Sequence, residues 1–80
     1  MQEEVITTIV EQINREYAAA LFYRQVYHWF DANNYPGSAA FARKEAADEL
    51  THAYRLEDYL LKRSAAVKLQ SISVNTELPT

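Results

Sequence analysis

The chain contains no cysteine, one glycine and only two prolines among its 80 residues. Without cysteine there is no disulfide framework, no thiolate zinc site and no iron–sulfur cluster. Positive charge is also scarce. Eight basic residues against 11 acidic ones leave a formal charge of −3, which argues against nucleic acid or an anionic membrane as partner. No uncharged run approaches the roughly 18 residues that a bilayer-spanning helix requires. The start, Met1-Gln2-Glu3-Glu4, is acidic where an export signal is basic, so the expected location is the cytoplasm. Apolar residues are plentiful at 49%, too many for a disordered chain. A single short chain nevertheless rarely builds a sufficient core alone.

The few breakers are placed informatively. Pro36 and Gly37 fall together in Asn33-Asn34-Tyr35-Pro36-Gly37, which predicts a loop because proline fixes φ and Asn and Gly tolerate turn conformations. On either side the chain is free to be helical. From about residue 4 to 32, Ile6, Ile9, Ile13, Glu16, Ala20, Tyr23, Tyr27 and Phe30 recur in alternating steps of three and four. From about 37 to 63, Ala42, Glu45, Glu49, His52, Leu56 and Tyr59 do the same, widened by Leu60. Residues 1–64 therefore read as an antiparallel helical hairpin, an all-α fold. Residues 65–80 alternate Val67, Leu69, Ile72 and Val74 with polar residues and read as an extended tail. There is no internal repeat.

Length implies association. A helix of about 29 residues is roughly 43 Å long, and two such rods touch along one line only. Phe22, Val26, Trp29, Phe41, Ala53 and Leu61 lie outside that line and need cover. The expected solution is a homo-oligomer, most simply a two-fold dimer of hairpins forming a four-helix bundle.

The stripes also hold residues that a core does not want. Glu16 sits among apolar positions of the first helix, and Glu49 and His52, three apart, share a face of the second. A buried carboxylate without a partner is costly. Glu16 lies 17 residues before Asn33, and Glu49 and His52 lie 13 and 16 after Pro36. These separations put them roughly 26, 20 and 24 Å from the turn, at similar height on both helices. A two-fold dimer would gather two Glu16, two Glu49 and two His52 near its axis. A Glu from each of two helices with Glu-x-x-His from each of the other two is the ligand pattern of ferritin-like di-iron carboxylate proteins. Four carboxylates balance two ferrous ions in charge. Oxygen and imidazole donors suit iron, with manganese or zinc as surrogates. Two irons per dimer are expected, Glu49 bridging and Glu16 and His52 terminal.

At these residues the chain resembles the first half of a bacterial non-haem ferritin. The resemblance runs from Glu11-Gln12-Ile13-Asn14-Arg15-Glu16-Tyr17-Ala18 through Trp29-Phe30-Asp31 and Pro36-Gly37 to Asp48-Glu49-Leu50-Thr51-His52-Ala53. It continues in Asp58-Tyr59-Leu60, Lys62-Arg63 and Val67-Lys68-Leu69-Gln70, covering about residues 11–72. It implies that Glu16, Glu49 and His52 are ferroxidase-centre ligands. Tyr23 matches the tyrosine two turns beyond the first ligand, and Asp48 a carboxylate that some bacterial ferritins use for iron transfer or an additional iron. A ferritin subunit has four long helices, whereas this chain carries the first pair. Half-length ferritins, such as the encapsulated kind, complete the centre by dimerising. The small pair usually glycine after Lys-Arg is here Ser64-Ala65.

The expected activity is therefore ferroxidase: oxidation of ferrous iron by dioxygen or peroxide, in iron storage or detoxification, with Glu16, Glu49, His52 and Tyr23 at the centre. Asp48 and Glu45 are auxiliary metal candidates. Blander readings stand beside these. Glu16 could be a core carboxylate satisfied by arginine, Tyr23 a core tyrosine, and Asp48 and Glu45 solvated acids. The whole could then be a non-catalytic oligomerisation module, or an iron carrier or cargo protein. His28 reads as a surface histidine.

Overall fold

A computed structural model of the chain describes residues 1–74 together with Glu77 and Leu78. Two helices make up its regular structure among these residues, α1 (Glu3–Ala32) and α2 (Pro36–Lys62), packed against each other as a hairpin. The molecule measures 48 × 20 × 12 Å. Glu3 and Glu4 open α1, placing negative charge against the positive end of the helix dipole. No helix among the described residues is long and apolar enough to cross a membrane.

Both helices end in the same way. At α1 the Tyr35 N–H donates to Phe30 O (2.9 Å) and the Asn34 N–H to Asp31 O (3.3 Å). At α2 the Ala65 N–H donates to Leu60 O and the Ser64 N–H to Leu61 O, both 3.0 Å. These are Schellman closures, which need a left-handed residue just past the helix. Asn34 (φ 64°) and Ser64 (φ 58°) supply it. The single glycine takes no part. Gly37, the end of the loop signal and the first residue of the expected second helix, lies in the first turn of α2 directly after Pro36. Proline is pre-organised for the first helical position, where its missing N–H costs nothing. The loop thus shortens to residues 33–35.

Along α1 the expected stripe faces α2, with Ile13 and Ala20 buried, Val10 joining them, and Ile6, Ile9, Glu16, Tyr23, Tyr27 and Phe30 half-buried. The α2 stripe differs from the expected one. Ala42 and Leu56 do face inward, but the row beside them is Ala39, Ala46, Ala53 and Leu60, all buried, rather than Glu45, His52 and Tyr59. Small alanines let the helix backbones approach closely, leaving the larger polar residues at the rim. Ala53 is fully covered by this packing, whereas Phe22, Phe41 and Leu61 remain exposed.

The apolar core lies toward the end of the hairpin away from the turn. Val10, Ile13, Ala53, Leu60 and Ala65 form it, with Ile6, Ile9, Tyr17, Leu56 and Val67 packed around them. Residues 65–74 have no regular secondary structure. Gln70 binds Asn14 through both backbone groups: its N–H donates to Asn14 Oδ1 (3.0 Å), and its carbonyl accepts from Asn14 Nδ2 (3.4 Å). The tail is thereby held beside α1. Asn75, Thr76, Pro79 and Thr80 of the expected tail lie outside the described residues. At the opposite end, Trp29 stacks on Tyr35 with centroids 6.2 Å apart, and Phe30 meets the same ring edge-on.

Candidate metal centre

Between the apolar core and the turn, three side chains converge. Glu16 of α1 and Glu49 and His52 of α2 each offer one ligand atom, and these atoms all lie within 4.8 Å of one another. His52 Nδ1 stands 3.5 Å from Glu16 Oε2 and 3.8 Å from Glu49 Oε2. The carboxylates are largely covered, their side chains 15% and 21% exposed, while the imidazole is 50% exposed. Local sequence explains the convergence. Ile13 and Ala20 are buried one turn to either side of Glu16, and Ala46 and Ala53 are buried about one turn to either side of Glu49. The helices are therefore pressed together at this level, and the two acids meet.

Two carboxylates so close cannot both ionise freely. A hydrogen bond from the Glu49 carboxyl holds Glu16 below the usual carboxylate range, against the upward push of burial. The same bond to Glu16 raises Glu49, with burial and the Glu16 charge adding to it. The proton is thus harder to remove from Glu49 than from Glu16. Gln12, one turn earlier on α1, donates through Nε2 to Glu16 Oε1 at 2.9 Å. Two oxygen donors and an imidazole, without thiolate, fit a divalent cation of the ferrous, manganese or zinc type.

The other candidates stand apart from this group. Asp48 accepts a hydrogen bond from Lys44 Nζ at 2.8 Å, on the exposed side of α2. Glu45 is half-buried one turn before Glu49, and after the Glu16 carboxyl and burial its charge adds a last upward push on Glu49. Tyr23 is half-buried with its ring edge-on to Phe22, centroids 5.9 Å apart. His28 is exposed.

Sequence reasoning passed over two features. The Tyr17 hydroxyl donates to Glu57 Oε1 across the helix pair, and its ring packs edge-on to Tyr54 at 6.4 Å. Neither contact has a periodic signature. The other is the Arg15–Gln12–Glu16 chain of hydrogen bonds. Its i,i+3 and i,i+4 spacings could have signalled it.

Residues 6–79 match the ferritin family, described as a ferritin-like domain, and the chain belongs to that family. Among individual relatives, it is 40% identical over 60 residues to a bacterial non-heme ferritin of Escherichia coli O6:H1, the match covering 75% of this chain and 36% of that protein. It is 30% identical over 74 residues to a bacterial non-heme ferritin of Bacteroides fragilis, covering 92% and 46%. A humanized archaeal ferritin superimposes with a TM-score of 0.92 at 26% identity, covering 100% of this chain and 50% of that one. The matches thus span between about a third and a half of the length of these relatives.

Proposed function

We propose that the chain is a ferroxidase whose substrate is ferrous iron, acting in iron storage or detoxification in the cytoplasm. The observation that carries this reading is the convergence of Glu16, Glu49 and His52. Three ligand atoms are too few for two metal ions. A second copy related by a two-fold axis supplies three more, and the centre is then shared between two chains, at the interface of at least a dimer. Glu49 would bridge the two ions, as the ligand pattern of a Glu with Glu-x-x-His implies. Glu16 and His52 each bind one ion terminally. Association also covers Phe22, Phe41 and Leu61, which the hairpin leaves exposed.

In the reaction each ferrous ion gives up one electron. The pair reduces dioxygen with two protons to hydrogen peroxide, or hydrogen peroxide with two protons to two waters. This chain's residues hold and orient the substrate ions. Glu16 and Glu49 supply carboxylate oxygens and His52 an imidazole nitrogen. Tyr23 orients the centre from the turn-proximal side. Glu45 and Asp48 are auxiliary carboxylates for iron approaching or leaving, Asp48 after release from Lys44.

Native mass spectrometry after anaerobic addition of ferrous iron tests the reading. The expected result is two irons for every two chains, with aerobic oxidation that turns over repeatedly and is lost in Glu49→Ala. A single turnover followed by retention marks a carrier or cargo protein. An even-numbered assembly that retains no metal marks a structural helical module and overturns the ferroxidase reading.

A further inference from the structure

Glu16 is gripped from its own helix. Gln12 Nε2 donates to Glu16 Oε1 at 2.9 Å, and Gln12 Oε1 accepts two hydrogen bonds from Arg15, from Nε at 3.0 Å and Nη2 at 2.8 Å. The chemistry at both ends fixes which way the Gln12 amide points. Guanidinium only donates, so the atom facing it is oxygen. An ionised carboxylate only accepts, so the atom facing it is the NH₂ group. Turning the amide over would break all three bonds at once and set oxygen against oxygen at Glu16.

Resting on the metal reading above, we infer that Gln12 is a positioning residue for Glu16 and that Arg15 acts through Gln12. The amide occupies one oxygen of Glu16 and leaves the other, Oε2, facing the gap 3.5 Å from His52 Nδ1. The carboxylate is thereby presented by one defined oxygen. The arrangement also separates orientation from charge. An arginine placed directly on Glu16 would neutralise the ligand and compete with the incoming cation. Here the guanidinium sits one residue removed, on an exposed part of α1, and a neutral amide does the holding. Glu16 keeps its negative charge for the metal while losing rotational freedom. Partners of this kind, bound to a ligand rather than to the metal, commonly set affinity by about 10–100-fold.

The test uses cobaltous ion with the full-length chain, reading its visible absorption band, which reports both affinity and ligand geometry. Gln12→Leu keeps the helix and the bulk but removes the donor. Arg15→Met keeps the stem but removes the fork. Gln12→Leu is expected to weaken cobalt binding about tenfold and to change the band shape. Arg15→Met is expected to weaken binding by a smaller factor in the same direction. Adding it to Gln12→Leu should cost nothing further, because its effect passes through the missing amide. Metal-free melting temperatures of all variants should stay together, which a merely structural role would not allow.

Equal cobalt affinity and band shape in Gln12→Leu and the unmutated chain overturn the positioning role and leave the metal reading standing. Fully additive losses in the double variant overturn the route from Arg15 through Gln12. Failure of the unmutated chain to bind cobalt in a Glu49-dependent way overturns the metal reading and this inference with it.

Discussion

Two polar contacts cross from α1 to α2 from adjacent residues of α1, and they are opposite in character. Tyr17 donates to Glu57 beside the apolar core, with Tyr54 against its ring. Burial, and then the Glu57 carboxylate, push the Tyr17 hydroxyl up to about 12. It stays protonated, matched one donor to one acceptor. Glu16, the adjacent residue, meets Glu49 and His52 instead, where one acid is held down and the other pushed up and an imidazole stands half in solvent. The first contact is complete in itself and fastens the helices. The second sets two acids against each other, and it persists because the apolar end of the hairpin holds the helices together regardless. A domain this small separates the two tasks by a single residue on one helix.

The separation can be tested by one measurement, thermal unfolding of metal-free protein at fixed chain concentration, applied to both regions. Leu60 is fully buried in the apolar cluster, so Leu60→Ala should destabilise by about 2–5 kcal/mol. An equivalent loss is not expected from any change in the Glu16–Glu49–His52 cluster.

Tyr17→Phe keeps the ring but leaves Glu57 without its donor, and should cost about 1.5 kcal/mol at neutral pH. Its pH dependence has a definite sign. The hydroxyl is raised from 10.0 to about 12 in the folded chain. Stability from this group is therefore fully present below pH 10 and is lost as pH rises through about 12. The unmutated protein should lose more stability across that window than Tyr17→Phe, so the two melting curves converge.

Ser64 holds a left-handed conformation to bring Ala65 into the core. Ser64→Gly should stabilise this end by about 1 kcal/mol. Asn34→Gly should gain less, since asparagine already tolerates φ > 0.

The smallest effect on metal-free stability is expected at the centre. Glu49→Gln can still donate to Glu16, and it cannot ionise. Glu49 has a raised folded-state pKa, so the unmutated chain loses stability as pH rises through it. At pH 8 the variant should be equal to it or more stable, by at most about 1 kcal/mol. Stabilisation by added cobaltous or ferrous ion should vanish in the same variant. A large metal-free loss in Glu49→Gln would show that the cluster is a structural fastening after all.

Much of this arrangement is legible from spacing. Helical rise alone puts Glu16 level with Glu49 and His52, and the three are found within 4.8 Å. The closeness of Glu16 and Glu49, and hence the opposite shifts of their carboxyls, follows from that equal height. Spacing misleads over α2. Rows through 45, 52 and 59 and through 46, 53 and 60 both alternate in threes and fours with Ala42, Glu49 and Leu56. Periodicity cannot choose between them, and residue size does. The one-residue difference at Pro36 has a similar source, because a loop composition does not say which of its residues the helix will absorb.

The sequence by itself determined two long helices broken near Pro36, an excess of apolar surface for one hairpin, and a carboxylate–imidazole set at one height on both helices. These follow from local propensity, composition and helical rise, which act over a few residues. Only the tertiary structure decided that alanines form the contact row of α2, leaving His52 at the rim. It also decided that Tyr17 finds Glu57, and that the Gln12 amide points its nitrogen at Glu16. Each of these depends on the rotation of one helix against the other, or on which donor faces which acceptor. Those choices are made by close packing and by hydrogen-bond complementarity at atomic distance, on which a one-dimensional pattern is silent.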